Sequence, residues 1–247
     1  MTDYLQGSSI LLHGPAKVGK TQFCATFPKP VLFYAAEPGH RFVKDMKGVV
    51  VEKMYTEKDW PNFVKNIAST LKRVKPKTIV VDTTNTFYLA CQRYICKQQR
   101  INTPGDLPHG KGWSLVYNEF LEAVSSLASE AGKLDATIIF VTHTQVETLE
   151  YRTCTIKRQT YVLGGQPERA VAANVDNIWF MDFPTDLEKE ACPYRVMWLK
   201  GNAEVRAETR DPHLKVGRIM KLKPNIGYKQ VNRAFEKSYE KEEADGS

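Results

Sequence analysis

The sequence predicts an α/β protein: a mostly parallel β-sheet with helices on both faces. Three observations predict it. Short, continuously apolar runs recur along the chain, the pattern of strands buried on both sides. Stretches with one apolar stripe at helical spacing separate them, as expected of strand–helix crossover units. The first apolar run also leads straight into Gly14-Pro15-Ala16-Lys17-Val18-Gly19-Lys20-Thr21, a complete GxxxxGK[ST] phosphate-binding loop, which calls for a strand before it and a helix after it.

Taken in order, residues 9–13 form the strand before the loop, and 22–27 continue as a helix that Pro28 and Pro30 stop. Residues 31–36 are an apolar strand ending in a turn at Glu37-Pro38-Gly39, and 49–51 are a weaker strand. Asp59 can cap a helix starting at Trp60-Pro61, with Phe63, Ile67, Leu71 and Val74 on one stripe. Residues 78–82 are a buried strand with Asp82 at its end. The helix that follows carries Phe87, Ala90, Tyr94 and Ile95 on one face. Residues 102–112 read as a loop rich in Pro and Gly. Val116, Phe120, Val124, Leu127 and Ala131 then mark a long helix ended by Gly132. Residues 137–143 form another strong strand, a hairpin follows around 145–165, and 177–181 and 195–199 extend the sheet. The mixed-charge stretch from Lys221, with Val231 and Phe235, suggests a short terminal helix and then an acidic disordered tail. The expected division is a core over 1–220 and the helix and tail over 221–247.

Composition narrows the classes. At 247 residues the chain fits one large α/β domain, and 42% hydrophobic with 26% charged residues is ordinary for a globular protein. No apolar run approaches the ~20 residues that span a bilayer, and the start MTDYLQGSS has no signal-peptide anatomy. The expectation is a cytoplasmic protein with no membrane partner. The five cysteines make no CxxC pair or metal-spaced array, which suggests reduced thiols, with Cys24 and Cys91 buried on helix faces. A net charge of +7 suits a polyanionic partner, although many basic proteins bind none.

The loop implies a nucleoside triphosphate. The backbone N–H groups of the loop Gly14 through Thr21, which Pro15 alone lacks, form a nest for the phosphates; Lys20 reaches the β- and γ-phosphates, and the Thr21 hydroxyl is a Mg²⁺ ligand. Asp82 closes an apolar strand, the pattern of a carboxylate that shares Mg²⁺ with Thr21. A second reading makes it a helix cap, a job Thr83 or Thr84 could equally do. No Glu follows Asp82, so another carboxylate must orient water if ATP is hydrolysed. Glu37 is the candidate, against the reading of a turn residue bonded to local backbone. His143 and Thr144 end a strand where a polar group can sense the γ-phosphate; a purely structural His143 is the alternative. His13 reads as structural.

With GPAKVGKT, Glu37, the Asp82 strand, HGKGW at 109–113 and FVTHTQVE at 140–147, the chain resembles the RecA-like P-loop ATPases of bacteriophages assigned to single-strand annealing and recombination. The resemblance covers roughly residues 8 to 215. It implies a RecA-like fold, Mg-dependent ATP hydrolysis stimulated by single-stranded DNA, and a ring or filament of identical subunits in a bacterial host cell. A single-strand binding protein is a further implied partner. DNA would lie on the loops near 98–113, with Lys111 and Trp113, and 145–165, with Tyr151, Arg152, Lys157, Arg158 and Tyr161. Cations neutralise phosphates there and Tyr faces stack on bases; the bland reading is a solvated hairpin with edge-protecting charges. Lys200, Arg206 and Arg210 are candidates for completing a neighbouring subunit's ATP site, against plain surface charge. The competing functions are a helicase-type or helicase-loading motor, and a nucleotide-gated DNA-binding protein with negligible turnover.

Overall fold

The protein, seen as a computed structural model, is described over residues 3–184, 194–212, 214, 219–223 and 227–245, so Cys192 lies outside the described residues. Strands β1 (Ser9–Gly14), β2 (Val31–Ala35), β3 (Val49–Lys53), β4 (Thr78–Asp82), β5 (Thr137–Glu150) and β7 (Asn177–Asp182) lie parallel in the order β7-β1-β5-β4-β2-β3. Beyond β7 the sheet continues antiparallel through β8 (Arg195–Trp198) and β10 (Ile219–Leu222). The two-residue β9 (Glu208–Thr209) pairs with the start of β7. β6 (Thr155–Tyr161) pairs antiparallel with the second half of β5, which makes the expected hairpin.

Successive residues of a strand face opposite sides, so a sheet covered on both faces needs strands apolar throughout. Leu11, Leu32, Ile79 and Ile138 face α2 (Trp60–Val74), α3 (Thr84–Gln99) and α4 (Lys111–Gly132), where Trp60, Phe63, Phe87 and Phe120 interlock. Ile10, Leu12, Phe33 and Val80 face the other layer, built from Phe23, Phe27, Val231 and Phe235 of the α1 (Lys20–Cys24) region and α6 (Gly227–Asp245); the short α5 (Gln166–Ala170) lies between β6 and β7 in the chain. Each fully buried side chain of this size contributes roughly 1.5–3 kcal/mol over leaving it exposed.

Several boundaries differ from expectation for local reasons. The helix after the loop is only Lys20–Cys24, not 22–27. Asp59 precedes α2 but its carboxylate turns back to accept from Tyr55 N, Thr56 N and Thr56 Oγ1, so it does not cap the helix. The stretch 102–112 holds two short 3-10 turns and already enters α4 at Lys111. β5 does not stop at His143; it runs 14 residues to Glu150, half in the sheet and half in the hairpin. The terminal helix is 19 residues long and carries on to Asp245, through most of the stretch expected to be disordered.

The length of α4 bears on the site. It has 22 residues, or roughly 33 Å, against roughly 20 Å for a six-residue strand. Its last turn meets the start of β5 through Ala136 N, which donates to Ala131 O. Its first turns therefore overshoot the sheet at the strands' carboxyl ends. There α3 packs against them in the opposite sense, with Tyr88 on Phe120 and Cys91 on Val116.

Candidate functional site

The register of the sheet brings the polar strand ends level. Gly14 is opposite His143, Ala35 opposite Asp82, and Asp82 opposite Val141. The phosphate-binding loop, Glu37, Asp82 and His143 thus line one cavity of about 520 Å³ at the carboxyl edge. Glycine is required at both ends of the loop. A Cβ on Gly14 would stand 2.1 Å from the Met181 carbonyl, and Gly19 has φ +105. At the back of the loop, Arg195 Nε donates to Val18 O at 3.0 Å.

Lys20 is buried, and its Nζ donates to the Gly14 and Pro15 carbonyls, both at 2.8 Å. Burial lowers its pKa, opposed chiefly by the Asp82 carboxylate. Thr21 Oγ1 donates to Asp82 Oδ2 at 2.6 Å. Burial raises the Asp82 pKa, partly offset by that hydrogen bond. The Asp82 carboxylate contacts Thr21, and Thr83 rather than Asp82 stands at the N-cap of α3. The peptide between Asp82 and Thr83 is cis. A hydroxyl and a carboxylate oxygen in contact are the hard donors Mg²⁺ takes, with phosphates and waters supplying the rest. Among the described residues no cluster of three or more His, Cys, Asp or Glu could hold a metal without such help.

Glu37 does not bond local backbone. Its Oε1 accepts from Thr83 Oγ1 at 2.6 Å and Thr86 Oγ1 at 2.9 Å, and His143 Nε2 stands 3.7 Å away. His143, then the two hydroxyls, hold the carboxyl at about 2, against the opposing effect of burial. Thr86 is thus a site residue that the sequence did not single out, and Thr83, read there only as a possible helix cap, is a second; their signal was the run of hydroxyls at 83, 84 and 86. Phe42 is another: it lines the cavity and is 79% exposed. His13 is structural, as expected. It is fully buried between Thr144 Oγ1 and the Arg206 carbonyl, each 2.7 Å away, and burial lowers its pKa to about 4.

The hairpin divides the expected DNA-contacting residues. Tyr151 is 56% exposed beside the turn, where Arg152 is exposed too, and Lys157 is exposed on β6. Arg158 is ion-paired across the hairpin, with Nε 2.6 Å from Glu147 Oε1. Tyr161 contradicts the expectation. It faces the sheet, is 2% exposed and donates its hydroxyl to Glu168, so no base can stack on it. Lys111 is exposed and Trp113 is 42% exposed on the overshooting first turn of α4.

The three late cations are not equivalent. Arg206 lies over the Tyr161 ring and pairs with Glu168 and Glu208 of its own chain. Lys200 Nζ donates to the Leu214 carbonyl at 2.7 Å. Arg210 keeps most of its exposure, with Asp176 at 3.6 Å, but it lies by the amino end of β7, where its N–H donates to Asp176 O. Arg206 and Arg210 border a second cavity of about 540 Å³, on the face of the sheet and apart from the phosphate loop.

A family model described as an AAA domain matches residues 6–211. Among solved structures the fold is similar to that of a KaiC-like protein from the hyperthermophilic archaeon Pyrococcus horikoshii OT3. That likeness covers 90% of this chain and 88% of the other, at 15% identity and a TM-score of 0.51, and it is a likeness of fold. No curated protein matches the sequence. Among the described residues no helix is long and apolar enough to cross a membrane.

Proposed function

The chain belongs to the AAA domain family, and from that premise we propose that it is a RecA-like ATPase that binds single-stranded DNA and promotes annealing or strand exchange in phage recombination. One observation carries the reading. The strand that brings His143 to Glu37 continues without a break into a hairpin bearing exposed Tyr151, Arg152 and Lys157. The phosphate site and a basic, aromatic surface are therefore joined by a single strand.

The roles follow from the contacts. Lys20 exchanges the Gly14 and Pro15 carbonyls for phosphate oxygens, and its charge is worth more in this half-dry site than in water. Thr21 and Asp82 would hold Mg²⁺, which when bound neutralises charge on the phosphates. Glu37 is ionised at neutral pH and bears its three contacts on Oε1, so it can orient a water molecule and take its proton. The water oxygen attacks the γ-phosphorus, the bond to the bridging oxygen breaks, and ADP leaves. His143, beside Glu37, reports the change to the hairpin.

Turnover with and without single-stranded DNA, together with annealing and unwinding assays, tests this. The expected result is Mg-dependent hydrolysis that DNA accelerates, annealing activity, and no unwinding. Glu37→Gln should bind ATP normally and lose most turnover. Processive unwinding would move the protein to the motor class. Tight DNA binding with ATP bound but not hydrolysed would make it a nucleotide-gated binder. Failure to bind single-stranded DNA in any nucleotide state would overturn the proposal.

A further inference from the structure

We infer that Asn85 is the positioning residue that couples the hairpin to the nucleotide site; this rests on the reading of the hairpin as the DNA-contacting element. Residues 82–86 touch three separate parts of the molecule. Asp82 accepts from Thr21 in the phosphate loop. Thr83 and Thr86 hold Glu37. Asn85, between them, clasps both roots of the hairpin: its Nδ2 donates to the Val162 carbonyl and its Oδ1 accepts from Thr142 Oγ1.

The position of these two roots matters. Thr142 is the residue before His143 and is fully buried. Val162 follows β6, and its N–H closes the hairpin base on the His143 carbonyl at 2.9 Å. One planar amide therefore bridges the incoming and outgoing strands beneath His143, using one donor and one acceptor. Among side chains of this size only an amide offers both at once in this geometry; an aspartate keeps the acceptor and loses the donor. Thr142 is fully buried while Asn85 and Val162 are half-buried, and the two bonds link the amide directly to both strand roots, so a displacement there reaches it.

The two arrangements that such coupling requires are defined by Glu37. In one, as here, its carboxylate rests on the Thr83 and Thr86 hydroxyls. In the other the two hydroxyls, and with them Glu37 and the water on its free oxygen, stand in a shifted position. A strand of DNA that shifts the hairpin base moves Thr142 and Val162, and Asn85 passes the shift to the turn bearing both threonines. Coupling of this kind is reciprocal, so nucleotide binding must be felt at the hairpin with no DNA present.

Asn85→Asp is the test, with Thr142→Val as a second, isosteric variant that breaks the same clasp from the other strand. In the wild type, a non-hydrolysable ATP analogue should change amide hydrogen exchange at the hairpin base, near 142–146 and 159–163, several-fold. In either variant that change should vanish, while analogue affinity stays within about twofold. In turnover assays the variants should keep basal kcat and single-stranded DNA affinity but lose stimulation by DNA. A residue of purely structural importance would lower the unfolding midpoint and leave the exchange response and the stimulation ratio intact, and that result would overturn the inference. So would a wild-type hairpin indifferent to the analogue. If the exchange arm behaves as expected but the wild type binds no DNA, the coupling stands and the DNA reading falls.

Discussion

Tyr161 and Tyr151 lie ten positions apart on one hairpin and do opposite work. Tyr161 ends β6 inside the sheet, with Arg206 over its ring and Glu168 on its hydroxyl. Tyr161→Ala should therefore cost stability, about 3–5 kcal/mol by the large-to-small precedent, read as a lower urea midpoint. Tyr151→Ala should leave that midpoint unchanged and weaken single-stranded DNA binding by about 1–3 kcal/mol. The reverse outcome, a stability loss at Tyr151 alone, would reassign the hairpin tip to the core. His13 provides a pH test. In the unfolded chain a histidine protonates near 6.5, whereas buried His13 stays neutral down to about 4. Between those values the unfolded state binds more protons, so stability is fully present above 6.5 and lost as pH falls to 4, by roughly 3 kcal/mol. His13→Gln should flatten stability over that window; an unchanged slope would show that His13 does not govern it.

At the scale of the element, the hairpin's charges sort by their partners. Arg158 is matched by Glu147, and an exposed or half-exposed pair of this kind offers little net charge to phosphates. Arg152 and Lys157 remain. Reversing both to Glu should weaken single-stranded DNA binding and reduce the slope of log affinity against log salt by about 1.4, at ~0.7 for each phosphate no longer neutralised. Arg158→Glu added to that pair should change the slope little further. Basal ATP turnover should survive, because these residues do not line the phosphate cavity. Titrations by fluorescence anisotropy at several salt concentrations decide it, and an unaltered slope would leave the hairpin a solvated edge.

For the whole molecule, the terminal helix closes one face of the sheet. Val231, Ala234 and Phe235 are buried in the layer that contains Leu12, Phe33 and Trp179, and Tyr228 meets Phe27 at 4.8 Å. The Asn232 side chain accepts from Tyr4 N at 2.9 Å, tying the end of the chain to its beginning. Truncation after residue 223 would expose that layer, so the shortened chain should be insoluble or lose its cooperative thermal transition. A soluble truncated chain with unchanged ATP binding would show α6 to be an accessory.

The sequence by itself determined whatever is encoded locally. The phosphate loop is a contiguous string, and the parallel strands are continuous apolar runs because both of their faces are covered. A carboxylate or histidine following such a run must emerge at the carboxyl edge, which is why Glu37, Asp82 and His143 were legible as one group. The tertiary structure decided what depends on register and on distant partners. Glu37 rests on hydroxyls 46 and 49 residues away, and Asn85 reaches a carbonyl 77 residues on; no spacing rule links such positions. Tyr161 and Arg206 read as a stacking ring and a free cation because their partners, Glu168 above all, are neighbours only in space. The inward turn of Tyr161 was fixed by how β6 pairs with β5, since a shift of one residue exchanges the two faces of a strand. Burial of α6 likewise needed the sheet to exist first: a charged, weakly apolar stretch becomes an ordered helix only where an uncovered hydrophobic face awaits it.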